Sequence, residues 1–177
     1  MSKRDLKKYL AQLNKEQLEE QIIELYEKFS PVKVFYDFVF NPKEDKLLQE
    51  AKMKISHEYF PIKKAGAKWK PKAKLRRSVA QKYIKHFVSL GVESFVIADL
   101  MLYNIEIAQT FSADNYIKQE LFYKSMLNSF EQAVNFVISN EILTEFKPRI
   151  ASIYEQTLKQ KWKNKYDFEV IFDKIDL

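Results

Sequence analysis

The chain contains no cysteine. That one absence removes disulfides, thiolate nucleophiles and cysteine-ligated zinc together, and a reducing, cytoplasmic setting is expected. Glycine and proline are almost as scarce, with two and five among 177 residues, which leaves little punctuation for a many-turned β architecture and much room for long helices. With Gly66 and Gly91 alone, neither the P-loop nor the dinucleotide fingerprint can be written. Only two histidines exist, His57 and His86, and no H-x-x-x-H or E-x-x-H spacing occurs, so zinc and di-iron sites lack their usual ligands. No metal and no cofactor is expected. Long apolar runs are missing too: residues 95–108 are interrupted by Asp99, Asn104 and Glu106, short of the roughly 20 residues that cross a bilayer. The opening Ser2-Lys3-Arg4-Asp5 runs into a charged amphipathic pattern without the apolar core of a secretory signal, so no membrane association is expected.

The most telling absence is local. Between Glu58 and Glu93 there is no acidic residue, yet Lys63, Lys64, Lys68, Lys70, Lys72, Lys74, Arg76, Arg77, Lys82 and Lys85 all fall there. The chain as a whole carries +6; without these ten cations it keeps 20 basic and 24 acidic residues and carries −4. A field concentrated in this way points to an anionic partner without naming one.

What is present fits an all-α fold. Hydrophobic residues make up 46% of the chain and aromatics 15%, enough for one domain, residues 1–177, with a substantial core. Ser2 and Asp5, then Asn14 and Gln17, stand at capping-box spacing before two short apolar stripes. Ser30-Pro31 and Asn41-Pro42 each place a capping side chain before a proline and predict two further helix starts. The second of these carries Leu48, Ala51, Ile55 and Tyr59 on one face. Val79, Tyr83, Phe87 and Leu90 predict a helix ending at Gly91, with Ser78, Gln81, Lys82, Lys85 and Ser89 on its outer face. Residues 94–111 are the most apolar helical segment and belong at the centre of the bundle. Another helix follows residues 112–115 with Tyr116, Tyr123, Leu127, Phe130, Val134 and Val137 inward, and Pro148 is expected to open the next, with Ile150, Ile153, Tyr154, Leu158 and Trp162 inward. The tail reads as helix through Phe168, Ile171, Phe172 and Ile175, although Tyr166, Phe168, Val170 and Phe172 also alternate as a strand would. A bundle or array of seven to eight helices results, interrupted at residues 62–75 by one long, flexible basic loop.

In that loop Trp69 is interleaved with lysines, and an aromatic among flexible cations suits phosphate contact with base stacking. The bland alternative is a solvated charge run that binds nothing. His57 is expected on the surface and His86 at the boundary of the core. Asp99 and Glu106 lie seven residues apart on one side of an apolar helix, with Tyr103 between them. They could work as acid and base, form a thin solvent-facing strip, or neutralise Arg76, Arg77 or Arg149.

The stretches SKRDLKKYL, NKEQLEEQI, YDFVFNPKEDKLLQEAK, RRSVAQKYIKHF, IADLMLYNIEIAQTFS, FYKSMLNSFE and FKPRI resemble a family of short bacterial proteins classed as a domain of unknown function. The resemblance runs over most of the chain. It implies a single bacterial cytoplasmic domain and brings no activity, substrate or site residue. The residues themselves favour a non-enzymatic accessory module that holds nucleic acid or another polyanion through Lys63, Lys64, Lys68, Trp69, Lys70, Lys72, Lys74, Arg76, Arg77, Lys82 and Lys85. The alternative is a helical module that docks an acidic protein. An enzyme ranks third and would need a pocket lined by Asp99, Glu106 or His86.

Overall fold

A computed structural model describes residues 2–63, 65–69 and 71–176, the side chain of residue 176 excepted. The described residues form nine helices and no strand: α1 (Lys3–Leu10), α2 (Lys15–Lys28), α3 (Ser30–Phe40), α4 (Glu44–Tyr59), α5 (Arg77–Leu90), α6 (Ser94–Asp114), α7 (Glu120–Ser139), α8 (Leu143–Lys159) and α9 (Lys165–Asp176). The all-α class expected from the sequence is what the chain adopts, with slightly more helices than expected. The chain falls into two compact units, Met1–Lys43 and Glu44–Leu177.

In the first unit both capping boxes form. The Ser2 hydroxyl accepts from the Asp5 amide at 3.3 Å while the Ser2 amide donates to the Asp5 carboxylate at 2.9 Å, and Asn14 and Gln17 exchange the same pair of bonds at 2.8 and 3.0 Å. Each box satisfies backbone donors that a helix start leaves unpaired. The two proline signals resolve differently from expectation. Phe29, in extended conformation, caps α3, and Ser30 is already helical and makes no capping bond. Pro31 falls at the second helical position, where a missing N–H also has no intrahelical partner. Asn41 closes α3, and α4 starts two residues after Pro42 with Glu44 and Asp45 in its first turn, where carboxylates favour the positive end of the helix dipole.

The second unit is organised around α6, as its composition predicts. It packs against α4, α5, α7 and α8 and buries Ile97, Ala98, Leu100, Met101, Leu102, Ile105 and Ala108. Two polar side chains are buried with it, and both are satisfied: the Asn104 amide reaches the Ser129 hydroxyl at 3.4 Å, and Gln109 donates to the Ile153 carbonyl at 2.7 Å and to Thr157 at 3.0 Å. The tail is helical and packs on α7 and α8, with Phe168 fully buried against Phe130 (centroids 4.9 Å apart) and Trp162 (5.7 Å).

Three helices in this unit end in the same way. The residue after α5, the second after α7 and the second after α8 sit at positive φ: Gly91 (+71°), Glu141 (+60°) and Lys161 (+51°). The next amide then reaches back five residues: Val92 to Phe87, Ile142 to Val137 and Trp162 to Thr157, at 3.1, 3.0 and 3.2 Å. This is the Schellman arrangement, and Val92, Ile142 and Trp162 are all buried, the apolar contact that accompanies it. Only the first of the three uses glycine.

Two expected elements shift. Helix α8 starts at Leu143, so Pro148 lies inside it, at the sixth position, rather than opening it. One backbone bond, to Thr144, is lost there, while the turn ahead of the proline seats Phe146 in the core against Phe95. In α5 the buried line is Ala80, Ile84, Phe87 and Leu90, and Val79 and Tyr83 are half-buried at its edge. That rotation turns Gln81 inward, where it donates to Gln132 of α7 at 2.8 Å. Tyr116, expected in the apolar stripe of α7, lies before the helix and is exposed.

Candidate functional site

Between α4 and α5 the described residues carry bends and turns but no helix or strand. Where the chain re-enters regular structure it is pinned to a single residue, Glu58 on the last turn of α4. The Glu58 carbonyl accepts from the amides of Lys74 (2.8 Å) and Leu75 (3.3 Å). Its carboxylate receives a two-pronged bond from the Arg76 guanidinium at 2.7 and 2.8 Å. Leu75 takes φ +53° between these contacts, a conformation costly for a branched apolar residue and held here by bonds on both sides of it. Arg76 holds the Glu58 carboxyl below the usual carboxylate range, against the opposing effect of burial.

A carboxyl whose pKa is lower in the folded than in the unfolded state adds stability above the unfolded value, and loses it as the pH falls through the folded one. Glu58→Gln is therefore expected to lower the melting temperature by a few degrees at pH 7, and the difference between wild type and variant should shrink as the pH falls below the usual carboxylate range. Thermal melts over a descending pH series check this.

The ten cations divide by what they already hold. Arg76 is committed to Glu58. Arg77 is half-buried, donates to Ser129 at 2.8 Å and to Gln132 at 3.1 Å, and has its pKa pulled down by burial. Lys64 and Lys70 lie outside the described residues. Lys63, Lys68, Lys72, Lys74, Lys82 and Lys85 are exposed. Lys74 stands close enough to Glu58 to contribute to that carboxyl's lowered pKa. Among the described residues, none of Lys63, Lys68, Lys72, Lys82 and Lys85 lies in an ion pair. Trp69 is 78% exposed, with the Lys68 ammonium 6.0 Å from its ring centroid. A large aromatic held this far out of the core offers a stacking face.

The Asp99 and Glu106 strip resolves as an ion-pair cluster. Arg149 of α8 donates to Asp99 at 2.5 Å and to both oxygens of Glu106 at 2.6 and 2.8 Å, and also reaches the Asp99 carbonyl at 3.3 Å. Burial works against the Arg149 charge, but the bonds to Glu106 and Asp99 outweigh it and raise its pKa. Lys52 completes the cluster, 2.5 Å from Asp99 and 5.1 Å from the Tyr103 ring centroid. Of the three arginines considered from sequence, Arg149 is the partner. Lys52 had no signal in the linear pattern, because it lies on a different helix and its spacing within α4 is that of a surface residue. His57 and His86 are both half-buried, which corrects the exposed placement expected of His57. No group of three or more potential metal-ligating side chains occurs among the described residues. None of the described helices is long and apolar enough to cross a membrane.

A family model, described as a family of unknown function (DUF6155), matches residues 1–176. The chain belongs to that family. No curated protein matches it, and no solved structure does. For this DUF6155 chain the chemistry on offer is therefore that of its own surface. Besides the basic segment, that surface includes a groove of about 660 Å³ between α5, α6 and α7, floored by Ile84, Val88, Met101 and Phe136, with Lys85 at its rim. A smaller cleft of about 290 Å³ runs between α6 and α8, lined in part by Glu106, Gln109, Ser152 and Gln156. Glu106, its one carboxylate, is already engaged by Arg149.

Proposed function

We propose that this chain is an accessory module that binds single-stranded nucleic acid through its phosphates, using Lys63, Lys68, Lys72, Lys82 and Lys85 as the cations and Trp69 as a stacking face. The observation that carries the reading is the exposure of Trp69 among lysines that have no acidic partner. An indole in water gains by stacking on a base, and an unpaired ammonium gains by displacing a condensed counterion. Arg76 and Arg77 play a different part: they fix the end of the segment and the start of α5 through Glu58, Ser129 and Gln132. Sequence reasoning grouped them with the ligand-binding cations because a linear pattern does not separate an engaged arginine from a free lysine.

A salt titration with fluorescent single-stranded RNA and DNA tests the reading. Five phosphate contacts on a single strand give a slope of log affinity against log salt of about −3.5, and so a loss of about 100-fold between 50 and 200 mM salt. Trp69→Ala should weaken binding about tenfold at either salt concentration without changing the slope. Affinity that is flat with salt, or unchanged after replacing Lys63, Lys68 and Lys72 with glutamine, would sink the proposal.

A further inference from the structure

Helices α6 and α8 line the cleft of about 290 Å³ with polar side chains at helical spacing: Glu106, Gln109 and Thr110 on α6, Ser152 and Gln156 on α8. Gln109 is only 5% exposed, and its orientation is fixed. The Ile153 carbonyl accepts and does not donate, so the side of the carboxamide that meets it at 2.7 Å is the amino group, which also reaches Thr157 at 3.0 Å. Both N–H bonds are spent there, and Oε1 is turned away from them, where no donor among the described residues reaches it. Nor is that oxygen sealed in, since the one buried side-chain polar atom without a partner among the described residues is Asn164 Oδ1. Gln109 therefore offers the cleft a fixed acceptor on a side chain locked in the core.

Two more acceptors stand on the same face of α6. Thr110 donates its hydroxyl proton to the Glu106 carbonyl at 2.9 Å, which leaves its oxygen free only to accept. Each Glu106 carboxylate oxygen takes one bond from Arg149, at 2.6 and 2.8 Å, and a carboxylate has about four lone-pair sites. Ser152 and Gln156, across the cleft, bring groups that both donate and accept. Glu106 is the only charged residue of the lining, and the Arg149 and Lys52 cations balance it and Asp99.

We propose that this cleft binds a small neutral polyol of sugar size, whose hydroxyls donate to Gln109, Thr110 and Glu106 and accept from Ser152 and Gln156. A charged ligand would lose its hydration without meeting an unbalanced opposite charge. An apolar one would cover the Gln109 oxygen and leave it unpaired. A planar base would find no aromatic ring in the lining to stack on, whereas the C–H edges of a polyol rest against Ala113 and Ile153. The volume lies at the lower end of the range for small-molecule sites. All of these residues belong to the second unit, and the inference is independent of the polyanion reading.

Titration of the full chain with D-glucose and D-ribose tests it, followed by calorimetry and by the side-chain amide signals of Gln109 in NMR spectra; uracil, methylammonium and acetate serve as contrasts. At modest ligand efficiency a polyol of about twelve heavy atoms reaches a dissociation constant of about 1 mM, and the Gln109 signals should move as it binds. Thr110→Val, isosteric and at an exposed position, should weaken binding about fivefold by removing one acceptor. Ser152→Phe, also at an exposed position, fills the cleft and should weaken it at least tenfold, and both variants should melt close to wild type. No saturable sugar binding up to about 20 mM leaves the cleft to water and overturns the proposal. Tighter binding of uracil, methylammonium or acetate than of either sugar overturns it too, as does sugar affinity that neither substitution changes.

Discussion

Phe168→Ala is expected to destabilise the second unit by about 4 kcal/mol, at the upper end of what truncating a buried aromatic costs, and to lower its melting temperature by about 12 °C for a unit of this size. Phe168 is fully buried, and its ring meets Phe130 from α7 and Trp162 from the turn after α8. Trp162 in turn meets Phe122 and Tyr123, with centroids 5.5 and 5.7 Å away, and donates its indole N–H to Gln160 at 3.0 Å. Removing the Phe168 ring leaves a void that three elements border and none can fill without leaving other contacts. Denaturation followed by Trp162 fluorescence reads the effect cleanly in a Trp69→Phe background, since these are the two tryptophans of the chain. A loss below about 1 kcal/mol would mean that α9 is a peripheral helix and not part of the core.

The second large effect is expected at Arg149. Arg149→Met keeps much of the side-chain volume but removes the bonds to both carboxylates and leaves Glu106 and Asp99 facing a site without its central cation. Breaking a part-buried ion pair on one side costs about 3 kcal/mol, because the partners lose their compensation along with the contact. The matching double variant, Arg149→Met with Glu106→Gln, should recover most of that loss, since the charge that remains on Asp99 keeps Lys52 as its partner. Urea unfolding of the single and double variants checks both statements. A double variant as unstable as the single one would mean that the guanidinium matters for its packing and not for its charge. This cluster also bears on function: both carboxylates weighed from the sequence as acid and base are held by a guanidinium, and their geometry is that of a strut between α6 and α8.

Which elements could be read from the sequence follows from how local their cause is. Ser2 with Asp5 and Asn14 with Gln17 are reciprocal contacts within four residues, so the first two helix starts were legible. The central place of α6 was legible because its composition leaves no other place for it. Gly91 announced the end of α5, but Glu141 and Lys161 perform the same turn with side chains that carry no such signal. What stabilises them is the burial of Ile142 and Trp162 one residue later, which depends on the tertiary fold. The start of α8 was missed because Pro148 looked like a boundary, whereas the packing of Phe146 draws the helix one turn and more ahead of it. In α5 the expected stripe holds at Phe87 and Leu90 and shifts by one residue in the first half, where Ala80 and Ile84 are buried against the helices α5 packs on, α4 and α6, and the bulkier Val79 and Tyr83 stand half-buried at the edge. In the basic segment the sequence located the cations but not their employment. Arg76, Arg77 and Lys74 are distinguished from their neighbours only by partners 16 to 55 residues away in the chain.

The pinning of Lys74, Leu75 and Arg76 to Glu58 also limits how far the lysine-bearing segment can stretch. The chain leaves α4 just after Glu58 and returns to that same residue at Lys74, so the intervening stretch is a closed loop with its two ends together, like an Ω-loop. Even fully drawn out, the 13 residues between Phe60 and Lys74 can carry their tip only about 25 Å from the anchor, half the contour of an extended chain. A free arm of the same composition would sweep twice that distance. The loop's cations are therefore confined to a cap around the end of α4, and any strand they hold must come to the protein surface to be held.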